Sequence, residues 1–255
     1  MDLEQLRDAA AGFARKAGQY TLQYFHDSFE LVYKDDKTPV TNADREAERL
    51  LRQEIQRLYP DHGILGEEFE PVNPDHEVQW ILDPIDGTRA FIHGVPLYTT
   101  LIGIVVDGDP KVGVIYAPVS DELCAAAEGH GAWLNEKKIN VREDRTLEEA
   151  TFLTTDITTP AKEGYADAFN TLVESTALHR TWGNAYGHLM VATGRADIMF
   201  DPILNIWDAA PLLPILREAG GRFTDVQGAE VIESEHGFIS TSQKLYEQVL
   251  NIFSG

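Results

Sequence analysis

Trp80-Ile-Leu-Asp-Pro-Ile-Asp-Gly-Thr-Arg89 is the stretch from which the fold and the chemistry are read. Val78 to Leu82 are mostly apolar and partly β-branched, which predicts a buried strand, and Pro84 stops it one residue after Asp83. In a continuing strand Asp83 and Asp86 would point to opposite faces. A turn led by Pro84 instead lets both carboxylates converge on one point, which suits a hard cation. Gly87 permits close backbone approach, and the amides around Gly87, Thr88 and Arg89 can form an anion-binding concavity beside that cation. Alone, the pattern Asp-x-x-Asp-Gly is more often an ordinary acidic turn. Two further acidic ends change the balance. Gly66-Glu67-Glu68 closes a short Ile-Leu run upstream, and Asn205-Ile-Trp-Asp208 opens an apolar helical segment far downstream.

The chain has 255 residues, enough for one large domain or two intimately packed halves. Its formal charge of −21, from 42 acidic and 21 basic residues, leaves no basic face for a nucleic-acid backbone. An acidic protein that takes a phosphorylated metabolite needs divalent cations to neutralise its ligand, in agreement with the clustered carboxylates. The single cysteine, Cys124, lies in an apolar run; it excludes a disulfide within the chain and points to a cytoplasmic home and an inert thiol. The first residues carry no basic and apolar leader pattern, and no apolar run is long enough to span a membrane.

Apolar residues from Leu3 to Leu22 recur at helical spacing, predicting a helix that runs to about His26. A second helix is expected from Asn42 to Leu58, capped by Thr41 or Asn42, with Asp44 in its first turn where it also complements the helix dipole. Leu97 to Val106, Lys111 to Ala117 and Glu122 to Glu128 read as an antiparallel meander, continued after Gly129 by a short strand. Residues 1–145 thus form a half with two helices on an antiparallel sheet. Residues 146–255 alternate strand and helix as an α/β half, with helices at Ala161 to Ser175, Asn184 to Thr193, Asp208 to Ala219 and Gln243 to Phe253. Strands are expected at Ala150 to Thr155, Leu178 to Trp182, Ala196 to Phe200, Arg222 to Asp225 and Gly237 to Thr241. No linker divides the halves and no internal repeat is visible.

Glu67 in Gly-Glu-Glu, the stretch Asp83-Pro-Ile-Asp-Gly-Thr88, and Trp207-Asp208 followed by Glu218-Ala-Gly-Gly221 closely resemble the signature motifs of the inositol monophosphatase superfamily of magnesium-dependent phosphatases. Order and spacing match from near Lys34 to Gly221. Within that superfamily, Arg89-Ala-Phe-Ile-His-Gly94 and Arg180-Thr-Trp-Gly-Asn-Ala-Tyr-Gly187 look most like the histidinol-phosphate phosphatase branch. The resemblance implies an α/β fold layered as an αβαβα sandwich, and commonly a homodimer. It implies that Glu67, Asp83, the Ile85 carbonyl, Asp86 and Asp208 hold metal, that Thr88 and Glu67 position the attacking water, and that Asp44 hydrogen-bonds to Thr88. The amides of Gly87 and Thr88 would hold phosphate, and Lys34 or Lys37 takes the place of the family's lysine. Asn184 stands where the branch pattern reads Trp-Gly-Asp, so the pocket carries one charge less.

Oxygen donors without a His or Cys cluster favour Mg²⁺, with Mn²⁺ as a substitute, over zinc, and two or three ions per site are expected. No serine or cysteine nucleophile is required, so direct hydrolysis is expected without a phosphoenzyme. For substrate contacts the candidates are Asp86, Gly87, Thr88 and Arg89 at the phosphate end and Arg180, Asn184 and Asp201 at the other, with Trp182 beside them. The eight scattered histidines read as structural or surface residues, although His188 lies one helical turn from Asn184. The expected activity is hydrolysis of L-histidinol phosphate. Inositol 1-phosphate or 3′-phosphoadenosine phosphate is the alternative substrate, and a non-catalytic binding protein on the same scaffold is the alternative of another class.

Overall fold

The computed structural model describes residues 2–33 and 39–254; Lys34 and Lys37, the two candidates for the family's lysine, lie outside the described residues. Helix α1 (Leu3–Thr21), the antiparallel pair β1 (Leu31–Tyr33) and β2 (Pro39–Thr41), and helix α2 (Asn42–Leu58) precede a seven-stranded sheet. Its strands lie side by side in chain order: β3 (Gly63–Gly66), β4 (Val78–Asp86), β5 (Thr99–Val106), β6 (Asp109–Ala117), β7 (Glu122–Ala127), β8 (Gly131–Leu134) and β9 (Lys137–Ile139), with helix α3 (Thr88–Ile92) between β4 and β5. The second sheet contains β10 (Thr151–Thr154), β11 (Leu178–Arg180), β12 (Ile198–Asp201), β13 (Gly221–Asp225) and β14 (Phe238–Ser242), in the order β11-β10-β12-β14-β13. Helices α4 (Thr159–Lys162), α5 (Ala166–Ser175), α6 (Asn184–Ala192), α7 (Ile206–Glu218) and α8 (Gln243–Phe253) complete the chain.

Five layers result. The apolar faces of α1 and α2 (Leu6, Phe13, Leu51, Ile55) pack on Trp80, Ile102 and Val114 of the first sheet. Leu189 of α6 and Leu212 and Ile215 of α7 fill the space between the two sheets, against Leu101 and Ile115 on one side and Met199 and Phe223 on the other. Leu172 of α5 and Leu245 and Val249 of α8 cover Phe152, Ile198 and Ile239 on the outer face of the second sheet. The chain is an αβαβα sandwich, as the family resemblance implies.

Several boundaries differ for identifiable reasons. Helix α1 ends at Thr21, and the chain continues in turns to His26, which adopts a left-handed φ of 66°. The stretch expected as one helix from Ala161 is two, α4 and α5, because Gly164 between them has φ 83°. The first sheet is not wholly antiparallel, since β3 and β4 run parallel through Leu65↔Ile81 and Gly66↔Leu82. Their connection crosses back over residues 67–77 instead of closing as a hairpin.

The most consequential difference lies at Pro84, which does not end β4. The strand continues to Asp86, and between Asp83↔Leu101 and Asp86↔Thr99 three steps on β4 oppose two on β5. One extra residue is therefore inserted, a β-bulge. It cancels the alternation that would set Asp83 and Asp86 on opposite faces. Pro84 is tolerated because β3 has already ended opposite Leu82, and its carbonyl accepts the Thr100 hydroxyl at 2.9 Å.

Helix α7 lies on the first sheet despite Pro211 and Pro214 in its interior. Gly103 and Gly113 face each other across β5 and β6 directly beneath it. A Cβ on Gly113 would stand 2.0 Å from the Pro211 carbonyl oxygen, and one on Gly103 would meet the Ala210 backbone at 3.0 Å. Backbone-to-backbone approach of this kind requires glycine. Gly113→Ala should therefore lower thermal stability by about 2 kcal/mol or more, through overpacking that only a shift of α7 can relieve; a melting curve matching the parent protein would show that the helix is not seated this closely.

Candidate active site

The bulge in β4 and the first turn of α7 bring Asp83, Asp86 and Asp208 together, with carboxylate oxygens within 4.8 Å of one another. Each is aimed by a local device. The Ile85 amide donates to Asp83 Oδ1 at 3.0 Å, which folds the Asp83 side chain back along the bulge. Asp86 Oδ2 accepts the Thr99 hydroxyl at 3.1 Å and the Ala185 amide, in the first turn of α6, at 2.8 Å. Asp208 is the third residue of α7 and accepts the amide of the N-cap Asn205 at 2.8 Å, one half of a reciprocal capping box.

These three carboxylates line one side of a cavity of about 440 Å³, together with Glu67, Ile85, Gly87, Thr88 and Arg89. Burial pushes the carboxyls of Asp83 and Asp86 well above the usual range, and neighbouring carboxylates add to the effect, Glu67 first for Asp83 and Asp208 first for Asp86. Asp208, half-buried at the cavity wall, is pushed up to about 7, mainly by desolvation. A set of oxygen donors this close, desolvated and mutually repelling, fits a hard divalent cation.

Gly87 has φ 84° and is the N-cap of α3, so Thr88 begins a helix at the cavity wall. The Thr88 hydroxyl lies 3.1 Å from the Ile85 carbonyl and 3.4 Å from Asp44 Oδ1. Asp44 also accepts the Thr41 amide at 2.8 Å and its hydroxyl at 2.5 Å, in a capping box that starts α2. Helix capping and the link to Thr88 thus coexist in one side chain, whose carboxyl burial holds at about 7.

Asn184, which also lines the cavity, takes a left-handed φ of 53°, and its side-chain amide nitrogen lies 2.7 Å from where a Cβ on Gly87 would stand. Its backbone N–H donates to Thr155 Oγ1 at 2.9 Å. Thr155 and Asp156 line the cavity, and neither is singled out by its sequence, because a Thr-Asp pair after a short strand reads as the start of a turn. Burial alone would raise the Asp156 carboxyl, but hydrogen bonds from Thr159 and Thr158 outweigh it and hold the group at about 2.

Two expected substrate contacts lie off the cavity wall. Asp201 is buried behind it, where Thr155 Oγ1 donates to one oxygen at 2.5 Å and His188 Nε2 lies 3.2 Å from the other. His188 does not face the cavity either; it is fully buried and its Nδ1 lies 2.6 Å from Ser240 Oγ. Arg180 is exposed on β11, an edge strand, and its guanidinium donates to the His179 carbonyl at 2.7 Å. Cys124 is buried with its thiol pushed up to about 12, which removes it as a nucleophile. Among the described residues no helix is long and apolar enough to cross a membrane.

A model of the inositol monophosphatase family matches residues 2–254. The chain belongs to the inositol monophosphatase family. It is 40% identical over 240 residues to a protein of Chlorobaculum parvum named histidinol-phosphatase, covering 92% of each chain. It is 34% identical over 224 residues to the Nus factor SuhB of Xylella fastidiosa, covering 85% of this chain and 80% of that one. Among solved structures, the inositol monophosphatase of Anabaena superimposes with a TM-score of 0.88 at 28% identity, over 100% of this chain and 97% of its own. Membership of the inositol monophosphatase family makes the protein a phosphatase of small phosphorylated compounds, and the acidic cluster agrees with the family's dependence on metal.

The raised carboxyls have a consequence for the metal-free protein. An aspartate with an ordinary value of 3.8 that is held at about 7 takes up a proton on folding, so its contribution to stability is present at low pH and is lost as pH rises through about 7. Asp83 and Asp86 act in the same direction. With chelator present, the melting temperature should be lower at about pH 8 than at about pH 5, and Asp208→Asn should shrink that difference. An equal pH dependence in the parent protein and the variant would show that Asp208 is not desolvated as described.

Proposed function

We propose that the protein hydrolyses L-histidinol phosphate to L-histidinol and phosphate, in histidine biosynthesis, with Mg²⁺ as cofactor and Mn²⁺ able to replace it. The observation that carries the metal reading is the convergence of Asp83, Asp86 and Asp208 within 4.8 Å. Glu67 and the Ile85 carbonyl, on the same cavity wall, complete the donor set. The substrate reading is supported by the relative named histidinol-phosphatase, at 40% identity over 92% of both chains, and by the Arg89 and Arg180 segments of the sequence. Bound there, two or three divalent ions would neutralise phosphate charge and stabilise the leaving oxygen.

The chain's own groups do the rest. Gly87 and Thr88 offer backbone amides, and Asp86 and Arg89 border the same phosphate position. The Thr88 hydroxyl, anchored towards Ile85 and Asp44, and the Glu67 carboxylate orient the attacking water. Direct attack by water leaves no covalent phosphoenzyme. At the organic end, Asn184 and the ionised Asp156 border the cavity, and Asp201 stands one hydrogen bond behind it through Thr155. These groups suit an ammonium and an imidazole more than a ring of hydroxyls. A homodimer in the cytoplasm completes the proposal, on the family resemblance and the lone buried thiol.

The second reading is an inositol 1-phosphate phosphatase, favoured by Asn184 in place of the branch's aspartate. Turnover of histidinol phosphate, inositol 1-phosphate and 3′-phosphoadenosine phosphate at equal Mg²⁺ separates the two. Histidinol phosphate should lead in kcat/KM by about tenfold or more, one well-placed charged contact being worth that much. Preference for inositol phosphate would overturn the substrate assignment, and no phosphate release from any of them would leave a non-catalytic binding protein. Asp83→Asn should cost about three orders of magnitude in kcat with the fold retained, since the ions contribute several kcal/mol to the transition state.

A further inference from the structure

Helix α2 carries a second acidic residue on the face that bears Asp44. Glu48, one turn further on, is fully buried, as few glutamates are. Its two oxygens are divided between two partners: Oε1 accepts Arg52 Nε at 2.8 Å, and Oε2 accepts the Glu68 backbone amide at 2.8 Å. The remaining guanidinium nitrogens of Arg52 donate to the Phe69 carbonyl at 2.9 Å and the Glu70 carbonyl at 3.0 Å. Three consecutive residues after Glu67 are therefore fastened by side chains of one helix. On its other side Glu67 is fastened by its own amide, which donates to the Leu82 carbonyl at 3.2 Å, one residue before Asp83.

This arrangement is costly. A buried ion pair seldom stabilises a fold more than apolar residues of similar size would. It also demands a glycine at position 66, where a Cβ would stand 2.1 Å from Glu48 Oε1. What it delivers is local. Strand β3 ends at Gly66 and the chain returns to it at Val72, which exchanges backbone hydrogen bonds with Ile64; between these points the Glu48–Arg52 pair binds the Glu68 amide and the Phe69 and Glu70 carbonyls. We infer that Glu48 and Arg52 are positioning residues, which hold Glu67 on the cavity wall beside Asp83, from where its carboxylate joins in metal binding. The inference rests on the metal reading given above.

The experiment is a calorimetric titration of metal-free protein with MgCl₂, combined with the Mg²⁺ dependence of phosphate release and the unfolding midpoint. Glu48→Gln keeps the shape but sets an amide against Arg52, and the double variant E48M/R52M removes the pair without leaving one charge buried alone. Both should raise the half-saturating Mg²⁺ concentration about tenfold or more, the usual cost of loosening the groups around a metal ligand. E48M/R52M should do so while still unfolding cooperatively, and it decides the matter should Glu48→Gln fail to fold. Variants that unfold earlier but bind Mg²⁺ as the parent does would reduce the pair to a structural staple and overturn the inference. A parent protein that binds no Mg²⁺ would overturn the metal reading and this inference with it.

Discussion

Mutual repulsion among buried carboxylates is the constraint on which this structure turns. Asp83, Asp86 and Asp208 have oxygens within 4.8 Å of one another; the first two are buried and the third half-buried, so little solvent is left to screen their charges. Such a cluster opposes folding unless protons or cations occupy it. The fold has to hold it together by other means, and the layers around it do so. The β4 bulge is pinned by the Thr100 hydroxyl, Asp86 is held by Thr99 and the first turn of α6, and Asp208 is held by the capping box of α7.

The middle layer is what makes the convergence possible. Asp208 reaches the first sheet because α7 lies almost on its backbone at Gly103 and Gly113. Ala185 reaches Asp86 because α6 begins at the same edge of the cavity. Both helices are fixed by the apolar core between the two sheets, so the second sheet, which contributes no carboxylate to the cluster, still determines where its members stand. Stability and chemistry share these residues: an apolar change at Leu189 or Leu212 would act on the site through the tilt of a helix.

Much of this was legible in the sequence. The acidic ends at Glu67, Asp83, Asp86 and Asp208 stand out because apolar runs lead into or out of each, and local patterns of that kind survive folding. The bulge did not show, because Pro84 reads as a stop signal unless the neighbouring strand is known to have ended already at Gly66. The family resemblance puts Asp201 and Arg180 at the cavity, but which way a side chain turns at a strand end depends on its partners. His188 and Thr155, far apart in sequence, are what turn Asp201 inward. Gly103 and Gly113 look like unremarkable strand glycines until a helix is laid over them.

Asn184 illustrates how a departure in sequence can conserve shape and alter chemistry. Its φ of 53° is one that asparagine and aspartate tolerate better than other side chains do, so either residue can begin α6 at this point and lie over Gly87. Replacing a carboxylate by an amide therefore leaves the backbone in place and changes only the charge presented to the substrate. Negative charge at the cavity comes instead from Asp156, held ionised by the Thr158 and Thr159 donors.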